Sequence, residues 1–158
     1  MADGIKRLFR TFLTDTSSED LEGIGTLRFE GNNVYKWVTY SAEAGAVAAV
    51  VGNACYYTET DGSGYAASQV TSDLSESSSL GAGILQAVIA DGSYGWIQLR
   101  GMADMTLAAT AGSRGDILTP DGSSDGTLDV AAAVTDYQYA ILAEDAGAGQ
   151  KIICNFPF

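Results

Sequence analysis

The residues of this chain that could do chemistry are mostly carboxylates. Among 158 residues, 20 are Asp or Glu, eight are Lys or Arg, and none is His. Without histidine the chain lacks the commonest general base, the commonest metal ligand and the usual triad partner. A carboxylate pair could still hydrolyse a glycoside. Most of the acidic residues, however, stand beside Gly or Ser, as turn residues do. The expectation is a protein that is not an enzyme and holds no cofactor and no metal.

Two short motifs invite a sharper reading. Asp121-Gly122-Ser123-Ser124-Asp125-Gly126-Thr127-Leu128-Asp129 places oxygen ligands at positions 1, 3, 5 and 9 of a calcium-type loop, with glycine at position 6. Position 12 is Ala132, where such a loop needs a bidentate glutamate. A pair of ordinary turns accounts for the same residues. Arg114-Gly115-Asp116 is an adhesion-type tripeptide, but an internal echo accounts for it more simply.

That echo concerns the elements that must position everything else. Gly83–Arg100 reads as an apolar strand, a glycine-containing turn and a second apolar strand. Ala140–Phe156 repeats the pattern. Val51-Gly52-Asn53-Ala54-Cys55-Tyr56-Tyr57 precedes the first hairpin, and Arg114-Gly115-Asp116-Ile117-Leu118-Thr119 precedes the second. Gly115-Asp116 therefore occupies the place of Gly52-Asn53, a turn entering a strand where glycine supplies backbone freedom. One β-unit is used twice.

The rest of the chain fits an all-β domain. There are 19 glycines and two prolines, which suits many tight turns. Gly25–Glu30 and Asn33–Tyr40 flank Gly31-Asn32, a good hairpin signal. Ala46–Val51 is too short to separate helix from buried strand. Residues 65–82 are serine-rich and show no clear period. Cys55 and Cys154 lie among apolar neighbours and read as buried free thiols, with a disulfide between them as the alternative. No segment reads as a secretory signal or is apolar enough to span a membrane.

Residues 1–22 read as an N-terminal arm ahead of a β domain over 23–158. Ile5, Leu8, Phe9, Phe12 and Leu13 fall at helical spacing, with Lys6, Arg7 and Arg10 between them. An extended reading also works, because Leu8, Arg10, Phe12 and Thr14 alternate with Phe9, Thr11 and Leu13. The apolar face packs either on its own domain or on a partner. A net charge of −12 disfavours nucleic acid, which asks for a basic surface. A single short apolar face with three cations is weak for a membrane surface.

Three stretches together resemble the capsid decoration proteins of tailed bacteriophages, also called cement or head-stabilising proteins. They are Gly25–Val38, Val50–Tyr57 and Gly83–Gln98, and the likeness spans roughly residues 23–156. The serine-rich 65–82 segment departs from that family's pattern. The resemblance implies a small β-barrel or β-tulip-like domain on the capsid exterior, assembled in the host cytoplasm. It implies a homotrimer, with the major capsid protein as partner, no nucleic acid, no membrane, no cofactor and no catalytic residues. It also makes the arm the capsid contact, through Ile5, Lys6, Arg7, Leu8, Phe9, Arg10, Phe12 and Leu13. Tyr35, Trp37, Tyr56, Tyr57, Phe156 and Phe158 are then candidates for subunit contact, since aromatic residues dominate cores and interfaces alike. A tail or head-fibre component, a surface adhesin and a glycan-binding protein are the other classes these features allow.

Overall fold

The computed structural model of the protein describes residues 8–60, 64–105, 112–120, 124–133, 135–145 and 150–157. Ten strands form among them: β1 (Leu27–Glu30), β2 (Asn33–Tyr40), β3 (Ala54–Thr60), β4 (Gly64–Thr71), β5 (Ser77–Leu85), β6 (Tyr94–Met105), β7 (Ile117–Thr119), β8 (Asp129–Val130), β9 (Ala140–Leu142) and β10 (Gln150–Asn155). No helix occurs among the described residues. The protein is all-β, as its glycine-rich turns and short apolar runs dictate.

The strands make one sheet in the order β1-β2-β4-β3-β5-β6-β10-β9-β7-β8. β2 also pairs with β6, so β2, β4, β3, β5 and β6 form a partial ring. The result is barrel-like. β10, β9, β7 and β8 continue the sheet away from the ring. The β1–β2 hairpin forms as its sequence predicts, with Glu30 opposite Asn33. Gly31 takes φ +58° at the turn, a conformation that costs an L side chain its Cβ clearance.

Apolar side chains fill the ring and the inner face beyond it. Val38, Ile84, Ile97, Leu99, Met105, Leu118, Leu142, Ile152 and Phe156 are all buried in one continuous cluster. Burial alternates strictly along β10, the period of a half-buried strand. Cys55 and Cys154 are both buried and free. Ala46–Val51 forms neither helix nor strand.

The serine-rich segment holds most of β4 and the start of β5, which its sequence does not announce. The small residues are needed there. A Cβ at Gly81 would come within 2.9 Å of the Tyr139 ring and 3.1 Å of Phe156. One at Gly83 would stand 2.7 Å from the Gln98 carbonyl oxygen. β5 runs through a space too narrow for larger side chains, so it carries no hydrophobic period to read.

The echoed β-units share one backbone frame. In the first, the Gly52 amide donates to the Leu85 carbonyl at 2.9 Å and the Leu85 amide to Asn53 at 3.0 Å. In the second, Gly115 donates to Leu142 at 2.8 Å and Leu142 to Asp116 at 3.0 Å. Gly52 and Gly115 both have positive φ, +82° and +96°. Gln86 donates to Trp96, and Ala143 donates to Lys151, at the matching point of each hairpin. The units meet where β6 pairs with β10, so the sheet reads β3-β5-β6 and then the mirror order β10-β9-β7.

Candidate functional site

The carboxylates are largely committed to turns. Asp20 accepts from the Gly23 and Ile24 amides, Asp91 from Ala42, Asp125 from Leu74, Asp116 from Ser113, Asp136 from Ala133 and Asp145 from Arg114. Asp73 accepts from the Ser75 hydroxyl at 2.6 Å and the Ser75 amide at 2.9 Å. Those bonds hold its carboxyl below the usual range. Among the described residues no three of His, Cys, Asp or Glu group as metal ligands would. Of the calcium-like stretch, Asp121, Gly122 and Ser123 lie outside the described residues.

The other reactive groups serve the interior. Burial pushes the Cys154 thiol up to about 12 and raises Cys55 as well. Lys36 is buried, and its Nζ donates to the Tyr57 hydroxyl at 3.0 Å while lying 4.9 Å from the ring centre. Desolvation lowers its pKa. Tyr56 donates its hydroxyl to the Thr127 carbonyl. These contacts satisfy polar groups that packing has taken from water.

Residues 8–22 lie against the outer face of the sheet. Over residues 8–14 burial alternates, although the chain bends at Arg10–Thr11 and turns at Leu13–Thr14, so the segment is neither helix nor strand. Leu8, Arg10, Phe12 and Thr14 are exposed, Thr11 is buried, and Phe9 and Leu13 are half-buried. The inward side chains cover a cluster of Tyr35, Trp37 and Trp96. Phe9 meets Trp96 edge-on at 5.5 Å, and the Arg28 guanidinium stacks 4.9 Å from the Phe9 ring centre. Indoles need partners for their N–H when buried, and the arm supplies both. Trp96 donates to Thr11 Oγ1 at 2.9 Å and Trp37 to Asp20 at 2.9 Å. Glu22 fastens the arm by accepting from the Arg10 amide, the Thr11 amide and the Thr11 hydroxyl. A two-residue bridge between Ser17 and Tyr94 pins its far end.

This placement redistributes the residues singled out from sequence. Tyr35, Trp37, Tyr56, Tyr57 and Phe156 are buried within the single chain. They pack the body. Phe158 lies outside the described residues, as do Ile5, Lys6 and Arg7. Of the remaining arm positions, Phe9 and Leu13 face the body, while Leu8, Arg10 and Phe12 face outward. Gly115-Asp116 is the twin of Gly52-Asn53, as the echo predicts.

Sequence reasoning missed the exposed counterpart of the covered face. In the first unit, Ala54, Ile84, Gln98 and Tyr35 stand opposite one another across β3, β5, β6 and β2. All four are buried. In the second, Ile117, Ile141, Ile153 and Met102 occupy the matching row across β7, β9, β10 and β6. Ile117 is 40 %, Ile153 45 % and Met102 51 % exposed. An open groove of about 380 Å³ joins the two regions, lined by Thr14 of the arm, Tyr35, Gln98, Met102 and Asp104. The signal was in the echo: aligned on its turns, Gln98 falls against Ile153.

The chain matches no protein-family model, no curated protein and no solved structure.

Proposed function

We propose that this chain is a non-enzymatic virion protein that binds the outer surface of a tailed-phage capsid as a homotrimer and stabilises the shell. One observation carries the reading. Residues 8–22 are fastened to a small β body through Phe9, Thr11, Leu13 and Glu22, while Leu8, Arg10 and Phe12 are exposed. The carboxylates committed to turns agree with a protein whose work is docking. So does the resemblance of Gly25–Val38, Val50–Tyr57 and Gly83–Gln98 to decoration proteins. Three of the eight basic residues, Lys6, Arg7 and Arg10, sit in the first ten positions of a chain with net charge −12. In this reading these three basic residues meet an acidic rim of the shell while the acidic body stays in solvent.

The test is co-sedimentation with purified mature and immature shells. The native protein pellets with mature shells and raises the temperature at which they rupture. Lys6→Glu combined with Arg7→Glu abolishes pelleting without changing the thermal unfolding of the protein alone. Absence of binding to either kind of shell contradicts the proposal.

A further inference from the structure

The groove between the two units gathers polar side chains whose remaining hydrogen-bond capacity the described residues do not use. It lies where β2, β5 and β6 meet, with Thr14 of the arm at its rim, and its volume is about 380 Å³. Small-molecule sites run from roughly 300 to 1,000 Å³. Tyr35 and Gln98 stand opposite each other across β2 and β6. Both are buried, at 5 % and 3 % exposure, and both line the groove.

Their bonding is one-sided. Gln98 Nε2 donates to the Arg100 carbonyl at 3.1 Å and to the Met102 carbonyl at 2.9 Å. Both N–H groups are thereby spent and the amide plane is fixed, while no described residue donates to Gln98 Oε1. The Tyr35 hydroxyl oxygen accepts from Asn33 Nδ2 at 3.2 Å, which leaves its O–H to donate. Gln86 spends one N–H on the Ile84 carbonyl at 3.0 Å and keeps the other, together with Oε1. The Asp104 carboxylate adds an acceptor, and Val51, Leu85 and Met102 add apolar surface. Water serves such groups in a free protein, and a ligand that displaces it must reproduce the same bonds. We infer that this groove binds a neutral sugar, one hexose-sized ring of a glycan.

The lining selects that class. Its charged side chain is Asp104; Arg100 and Lys151 lie on the same side of the sheet but do not line the groove. A phosphate or carboxylate would therefore meet a like charge. A wholly apolar ligand would leave Tyr35, Gln86 and Gln98 unpaired. An extended peptide binds by adding to a strand edge, and β5 and β6 each already have a strand on both sides. Sugar hydroxyls both donate and accept. They match a fixed acceptor at Gln98, a fixed donor at Tyr35 and both kinds at Gln86. One carboxylate accepts from two neighbouring hydroxyls at once, and Met102 adapts to the C–H face of a ring. The inference needs neither a shell nor a trimer, so it stands or falls apart from the proposed function.

Saturation-transfer NMR of the full chain tests it, with glucose, galactose, mannose, N-acetylglucosamine and N-acetylgalactosamine as probes at millimolar concentration and glucuronate as the anionic comparison. At least one neutral sugar receives saturation and binds more tightly than glucuronate. Asp104→Ala and Tyr35→Phe each raise its Kd about tenfold, the loss of one hydrogen bond. Tyr137→Ala, in another hollow lined by Tyr137, Arg100 and Asn155, leaves the Kd unchanged. Thermal melts show that each variant is folded. Asp104 is exposed, so its variant decides the matter where Tyr35→Phe loosens the body. No saturation of any neutral sugar overturns the inference, as does an unchanged Kd in a folded Asp104 or Tyr35 variant. Loss of binding in Tyr137→Ala overturns the location, and tighter binding of glucuronate overturns the ligand class.

Discussion

Trp96 and Lys151 hold the same place in the two β-units, each accepting the backbone bond that closes its hairpin. Trp96 is fully buried under the arm, whereas Lys151 is exposed. The rows beside them differ too: Ala54, Ile84, Gln98 and Tyr35 are buried, whereas Ile117, Ile153 and Met102 are exposed and Ile141 is half-buried. A repeated frame thus carries two jobs. The covered copy joins the ring and anchors the arm, while the bare copy presents an apolar face to the outside. Backbone hydrogen bonding fixes the shape of each unit. What lies over the outer face decides whether that shape becomes core or surface.

The strongest way to break this comparison is to truncate the twin positions. Trp96→Ala removes the indole beneath the arm and costs about 3–5 kcal/mol in urea unfolding, as large aromatic deletions in cores do. Lys151→Ala changes stability by no more than about 0.5 kcal/mol, the usual range for an exposed site. Comparable losses at both positions would mean that the second face is covered in the free protein.

A smaller effect comes from loosening the cover. Glu22→Ala strands two backbone amides and a hydroxyl of the arm, at a cost of about 2 kcal/mol. Hydrogen exchange accelerates over residues 9–17 while β9 and β10 stay protected, so the first unit comes to resemble the second. The shared frame is probed by Gly52→Ala and Gly115→Ala. Each forces alanine into a positive φ and costs about 1–2 kcal/mol, and the two costs match if the turns are equivalent. The least perturbing check concerns the inner face, which both units close equally. Cys55 of the first and Cys154 of the second are both buried with raised pKa values, so neither reacts with a thiol reagent at pH 8 until denaturant is added. A fast-reacting Cys154 would show that the second unit is open on both faces.

Much of the frame was legible because it rests on local chemistry. Gly31-Asn32 announces the β1–β2 hairpin, and the glycines at 52 and 115 mark twin turns whose positive φ only glycine adopts without strain. β4 and the start of β5 were not legible, because Gly81 and Gly83 exist to let Tyr139, Phe156 and β6 approach, a requirement set by distant chain. The aromatic strands pointed equally to core and to interface. The structure places Tyr35, Trp37, Tyr56 and Tyr57 in the interior because the ring, and the arm over it, enclose both faces of those strands. The extended alternation of residues 8–14 was visible beside a helical one. The segment takes neither form: it bends at Arg10–Thr11, which brings Thr11 to Trp96 while Phe9 and Leu13 pack against the aromatic cluster. The bare row had its only sequence signal in the pairing of Gln98 with Ile153 across the echo, and burial is what gives that difference meaning.

We propose that this protein binds a phage shell through the arm that its first unit anchors. A cryo-electron reconstruction of mature phage shells incubated with the protein tests it most directly. Density is expected for three copies at threefold positions, with each N-terminus against the shell. Shells without added density, or isolated single copies away from the threefold positions, would contradict it.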